Sequence, residues 1–208
     1  MPSLRQLLSE HAPLLLLDAT SARIQVGLWQ SESEVQWATS DEEAGVGLFR
    51  SVAALAVKLS AIRAFAFADG PGSVLGIRTA AVAIRTWCAI EPRPVFSYGS
   101  LALAAAGFPR PGGTFIADAR RGAWHSYREG GTLQRVATAD LAPPLITLQG
   151  FRHWTPLPDG VEEVPYDLAD LFARVPDADL FRPAPEPDAF LHEEPSYVTW
   201  TPQIHRAP

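Results

Sequence analysis

Two short apolar runs, each ending in aspartate, constrain this chain more than any other feature. Leu14-Leu15-Leu16-Leu17-Asp18 is followed by the small turn Ala19-Thr20-Ser21-Ala22 and then by residues 23–29, in which Ile24, Val26 and Leu28 alternate to one side. Alternation with a period of two marks a strand, so the segment predicts a buried strand and its antiparallel return, with a third strand over 35–38. Thr114-Phe115-Ile116-Ala117-Asp118, the tight turn Ala119-Arg120-Arg121-Gly122 and a return strand over 123–128 repeat the plan. Two strand-Asp-turn-strand units predict an internal duplication. An opening antiparallel meander also argues against a Rossmann domain, which begins with a strand-helix-strand crossover.

Between the two units lies Gly70-Pro71-Gly72-Ser73-Val74-Leu75-Gly76-Ile77-Arg78, after the apolar run 64–68 and before a long apolar segment, 77–90. A strand, a glycine-rich turn and a helix start place backbone amides around a phosphate-sized gap. The spacing fits neither familiar phosphate loop. Glycines at 70, 72 and 76 are one residue too wide for the dinucleotide fingerprint, and no Gly-Lys-Ser/Thr follows.

Two helices are expected in this half, over 42–60 and 77–90. In the first, Glu42 and Glu43 suit the positive end of the helix dipole. Leu48, Val52, Leu55 and Leu59 form one apolar stripe and Val46, Phe49, Ala53 and Ala56 a second, with Arg50, Ser51 and Lys58 opposite. Together the stripes are wider than the ~100° that one core contact uses. In the second helix Ile77, Ala81, Ile84 and Cys88 form a face flanked by Ala80, Ala83, Trp87 and Ile90, with Arg78 and Arg85 on the far side. Small residues at 80 and 83 would let another helix approach closely. Pro92 ends this helix. A short strand over 95–96 and a third helix reaching 106, capped by Ser97 or Ser100, precede the second unit. Twelve of the 19 prolines lie from Pro143 onward. That half reads as a loop-rich closing segment holding one strand over 144–149, one short helix over 166–175 and an end frayed from about 202.

A chain of 208 residues that is 47% hydrophobic and 19% charged buries a real core. No apolar run approaches the ~20 residues of a membrane span, and no secretion signal opens the sequence. Cys88 is the only cysteine, so no intramolecular disulfide is possible and a cytoplasmic location is the default expectation. A net charge of -6, with Lys58 the sole lysine, makes a poor phosphate-backbone binder. Any nucleic acid in this protein's biology would be held by a partner.

The matching motifs Leu17-Asp18-Ala19-Thr20-Ser21, Gly70-Pro71-Gly72-Ser73 through Gly76-Ile77-Arg78, Ser97-Tyr98-Gly99-Ser100-Leu101, Asp118-Ala119-Arg120-Arg121-Gly122 with Trp124, and the late Glu194-Pro195-Ser196-Tyr197 occur in an order that resembles the TsaB (YeaZ) family. These are the small members of the sugar kinase/actin/Hsp70-like superfamily. The resemblance covers 14–128 well and the rest loosely. It implies an α/β fold of duplicated, actin-like mixed sheets flanked by helices, with an N-terminal lobe over 1–107 and a smaller, proline-rich lobe over 108–208. It also implies a subunit without chemistry of its own. Such a subunit pairs with a larger catalytic paralogue (TsaD-like) that transfers a threonylcarbamoyl group to the adenosine beside the anticodon of tRNA, and with an ATPase subunit (TsaE-like). The first two helices would form the partner surface, through Val46, Phe49, Ala53, Ala56, Ala80, Ala83, Trp87, Arg78 and Arg85, or would pair two copies in isolation. Where the family commonly has an Arg-x-His-type segment before its first helix, this chain reads Ser40-Asp41-Glu42-Glu43-Ala44.

The remaining candidates each carry two readings. Asp18 orients a metal or phosphate, or bonds its own turn. Gly70, Gly72 and Gly76 cradle a phosphate, or allow a tight turn beside a packed strand. Ser73 caps the helix. Asp118 and Arg120 shape their turn, or Arg120 offers its planar fork to a carboxylate or phosphate. No histidine shows metal-ligand spacing, and no Gly-x-Ser-x-Gly is present, so neither a metal nor a catalytic residue is assigned. No cofactor is expected for the chain alone, with ATP or ADP conceivable at a partner interface. The competing functions are an autonomous ATP-dependent kinase or hydrolase, historically labelled a glycoprotease, and a homodimeric binding module.

Overall fold

The structure is a computed structural model, and it describes residues 1–189; the closing Glu194-Pro195-Ser196-Tyr197 motif, His192, His205 and the end beyond 202 lie outside the described residues. Strands β1 (Leu14–Asp18), β2 (Ile24–Trp29) and β3 (Val35–Ser40) form the expected meander. Helix α2 (Ala44–Ala54), β4 (Ala64–Gly70), α3 (Val74–Ile90), β5 (Val95–Gly99) and α4 (Ser100–Gly107) follow, with β4 parallel to β1 and β5 parallel to β4. The second half repeats this. Strands β6 (Thr114–Asp118), β7 (Ala123–Tyr127) and β8 (Gln134–Ala137) are an antiparallel meander, β9 (Leu145–Leu148) runs parallel to β6, and β10 (Glu162–Val164) runs parallel to β9. The sheet orders are β11-β5-β4-β1-β2-β3 and β10-β9-β6-β7-β8. Two mixed sheets flanked by helices are therefore present, with the same strand order but for one added edge. That edge, β11 (Arg182–Pro183), brings the chain back from α5 (Leu168–Arg174) onto β5 of the first sheet.

Strand β1 sits at the centre because it is apolar on both faces. Leu14 and Leu16 enter one core and Leu15 and Leu17 the other, all 0% exposed. The second of these cores lies under α2 and α3. The first is shared with α4, α5 and strands of the second sheet. Helix α4 is apolar all round because it lies between the two sheets and is buried on most sides.

Three expectations need correction. Helix α2 ends at Ala54 and does not reach 60. Leu55 is its C-cap and Ala56 adopts φ 51°, the left-handed conformation that terminates helices. Ser51, placed on the polar side by the sequence, is buried. Helix α4 is capped by Gly99, not by Ser97, which lies in β5, nor by Ser100, whose hydroxyl donates to the Pro71 carbonyl instead. The sequence reading also missed α1 (Leu4–His11), whose start is a full capping box: Ser3 Oγ accepts from the Gln6 amide and the Gln6 side chain accepts from the Ser3 amide.

Candidate functional site

Asp18 is wholly enclosed, and every bond it makes is to its own chain. Oδ1 accepts from the amide (2.8 Å) and hydroxyl (2.6 Å) of Thr20, and Oδ2 accepts from the hydroxyls of Tyr98 (2.7 Å) and Tyr166 (2.8 Å). Its cross-strand neighbour Gln25 is equally buried. That amide donates to the Tyr166 carbonyl and accepts from the Leu168 amide. Asp18 and Gln25 thus bind one short segment between them, which fastens the start of α5 to the end of the β1–β2 hairpin. Burial first, and then the adjacent Asp18 carboxylate, hold both phenols well above the usual tyrosine range. A saturated carboxylate at 0% exposure has no coordination left for a metal or phosphate. Of the two readings of Asp18, the geometry supports the structural one.

The glycine loop closes over the same hairpin. A Cβ at Gly76 would lie 2.0 Å from the Ala19 carbonyl oxygen, and one at Gly72 2.5 Å from the Thr20 carbonyl oxygen. The Ser73 amide donates to that Thr20 carbonyl, and Ser73 Oγ caps α3 by accepting from Gly76. The glycines are there because two backbones touch, which leaves the Ala19-Thr20 turn where a phosphate would sit. Gly70, at φ 128°, ends β4 and lines a different cleft.

Gly72, Ser73 and Leu75 do face Asp118 and Arg120 across a cleft of about 330 Å³, whose wall also includes His125, Arg152 and Trp154. Asp118 Oδ2 accepts from the Trp154 and Thr155 amides, both at 2.6 Å, and Oδ1 accepts from the Arg120 amide. Burial pushes the Asp118 carboxyl upward, but the three amide bonds outweigh it and the net shift is down. The same bonds fix Arg120 and Trp154 together, with the guanidinium 5.3 Å from the indole ring. Arg120 and Arg121 hold positive φ values of 61° and 55°, a conformation non-glycine residues adopt rarely and at some cost. The turn presents the Arg120 guanidinium to the cleft, which Arg152 also lines. Sequence reasoning found Asp118 and Arg120 but missed Arg152 and Trp154, which reach the cleft through a loop with no periodic signal. Among the described residues no cluster of His, Cys, Asp or Glu could hold a metal ion.

The outer face of α2 and α3 is the second candidate. Val46 and Phe49 are each 47% exposed, Val82 55% and Leu75 75%, while Ala53 and Ala56 are also exposed. Phe49, Leu75, Arg78, Thr79, Val82 and Trp87 line a shallow groove there. Ala80, expected on this surface, points inward at 0% exposure, while Ala83, also expected there, packs into the core at 4% and lines the groove as well. They join the core that holds Leu48, Val52 and Leu55, and the helix that approaches α3 is the chain's own α2. Trp87 is half-buried against Phe65, Arg78 pairs with Asp188 at 3.7 Å, and Arg85 is exposed. No helix among the described residues is long and apolar enough to cross a membrane.

No family model and no curated protein matches the sequence. Solved structures do. YeaZ from Pseudomonas aeruginosa is 23% identical with a TM-score of 0.58, over 77% of this chain and 89% of that one. A second structure, described as an uncharacterized protein with similarity to peptidase YeaZ from Pseudomonas aeruginosa, is 22% identical with a TM-score of 0.57, over 78% and 89%. The order of β1 to β10, the glycine loop over the first hairpin and these matches lead to one conclusion: the chain has the fold of the YeaZ proteins.

Proposed function

We propose that this chain is a TsaB (YeaZ) family member and a non-catalytic scaffold of the complex that transfers a threonylcarbamoyl group to tRNA. Its repeated sheet order is read as the actin-like duplication, with lobes over 1–107 and 108–208 and a reduced second lobe that returns β11 to the first. The observation that carries the functional reading is the exposed apolar face of α2 and α3, built from Val46, Phe49, Leu75 and Val82. Exposed patches of this kind mark protein contacts, and a specific interface covers about 800 Å² per partner. The occupant is the larger catalytic paralogue or, without it, a second copy of this chain, in a cytoplasmic complex that also contains the ATPase subunit and meets tRNA through its partners. Co-purification from the native cell tests this. Wild type should bring down the paralogue, while Val82→Arg and Phe49→Asp should lose it with melting unchanged. Retention of the paralogue by both variants sinks the reading.

The autonomous-ATPase alternative loses support because Asp18 is saturated. A nucleotide contact at the partner interface keeps one specific observation in its favour: Leu75 lies both in the cleft of Arg120, Arg152 and Trp154 and in the apolar groove. A docked partner would border that cleft. ATP binding by the assembled complex, weakened by Arg120→Ala, would support this contact. Turnover by the purified chain alone would instead favour the enzyme.

A further inference from the structure

The glycine loop borders a second cleft, of about 360 Å³, to which it contributes Gly70 and Pro71. The cleft lies outside the carboxyl ends of the parallel strands β4 and β5. Its opposite wall is the β7–β8 connection, with Tyr127 and Leu133. Leu101, Ala102, Leu133 and Leu180 make it largely apolar. An apolar cavity of about 150 Å³ already accepts benzene, so this one has room for a ring and its substituents.

The anomaly in this wall is Asp69. It follows five apolar residues of β4, its side chain is 10% exposed, and only one of its oxygens is engaged. Arg182 of β11 pairs with Oδ2, while Oδ1 has no hydrogen-bond partner and is shut off from water. A buried carboxylate oxygen without a donor is unfavourable by more than most neutral groups, and an ion pair so placed contributes little net stability. Burial pushes the Asp69 carboxyl upward, against the pull of Arg182 and of the nearby Ser97 hydroxyl, which makes no hydrogen bond to Oδ1. A second carboxylate, Asp179, lines the same cleft, and Arg182 is its only cationic side chain. Rotation about the terminal bond of an aspartate is soft, so a donor entering the cleft can draw Oδ1 toward it.

We propose that this cleft binds a small organic cation, a protonated amine carried on an apolar body, with its ammonium donating to Asp69. An anion would meet two carboxylates against one guanidinium that Asp69 already engages, and a neutral hydrocarbon would leave Oδ1 unpaired. This inference is independent of the scaffold reading, since no residue of the cleft belongs to the α2–α3 face.

The test is ligand-observed NMR on the full chain with 2-phenylethylammonium, against 3-phenylpropionate as the same body with opposite charge. The amine should bind in the millimolar range, the acid at least tenfold more weakly. Asp69→Asn, which keeps the shape and removes the charge, should weaken the amine tenfold or more. Ala102→Trp leaves the carboxylate intact and fills the cleft, so it should abolish binding with melting nearly unchanged and serves if Asp69→Asn does not fold. Equal binding of acid and amine, full amine binding by either variant, or an Oδ1 satisfied by water alone with no amine bound would overturn the proposal.

Discussion

Removing the two phenols that bond Asp18 is the sharpest test of how this fold is fastened. In Tyr166→Phe, Oδ2 keeps its bond from Tyr98; in Tyr98→Phe it keeps the bond from Tyr166. Hydrogen bonds to a charged group contribute roughly 1.5–3 kcal/mol, so each single variant should lose about 2 kcal/mol. The double variant strips Oδ2 of both donors inside a site that is 0% exposed. The carboxylate then retains only its two Oδ1 bonds from Thr20, so the double loss should exceed the sum of the singles by a coupling of about 1 kcal/mol. Urea unfolding at neutral pH gives all four corners of the cycle. The alkaline limb supplies an independent readout. Both phenols titrate above the usual range when folded. Their contribution is therefore complete below the unfolded-state value near 10 and is lost as pH rises through the window between that value and the folded one. Within that window stability should fall by about 1.4 kcal/mol per pH unit for each tyrosine, a slope that each Phe variant reduces by one tyrosine's share. Single losses below about 0.5 kcal/mol, with additive doubles and an unchanged alkaline slope, would refute the claim that Asp18 is a structural anchor.

Other perturbations separate packing from function. Gly76→Ala forces a methyl to within 2.0 Å of the Ala19 carbonyl and should destabilise by about 2–3 kcal/mol in urea unfolding; a neutral result would mean the loop does not touch the hairpin. Asp118→Ala removes the acceptor of three amide bonds and should cost about 1–3 kcal/mol. Because the folded Asp118 titrates below its ordinary range, its contribution is present above the unfolded-state value near 4 and is lost as pH falls through the lower folded value. Acid melting curves of wild type and Asp118→Ala should therefore converge at low pH. Ala80→Arg, in contrast with Val82→Arg, should unfold the chain by several kcal/mol, since an unpaired charge would enter the core; circular dichroism melts would contradict this if the two variants matched.

The strand-Asp-turn pairs, the buried β1 and the cap at Ser73 were legible because each is a local signal: apolar run, turn residue or capping hydroxyl within a few positions. Helix α1 was legible in the same way, through Ser3 and Gln6, and was overlooked. Apolar stripes on α2 and α3 were also legible, but periodicity reports only that a face is greasy and not what covers it. Tertiary packing assigned Ala80 to the chain's own core, set Ala83 between that core and the groove, and left Val82, Leu75 and Phe49 outside. The clearest division concerns Asp18. Its position at a strand end is written in the sequence and suits either a catalytic carboxylate or a structural one. Tyr98 and Tyr166, 80 and 148 residues away, decide between them, because only the folded chain brings their hydroxyls onto Oδ2 and excludes the water that a working carboxylate would need.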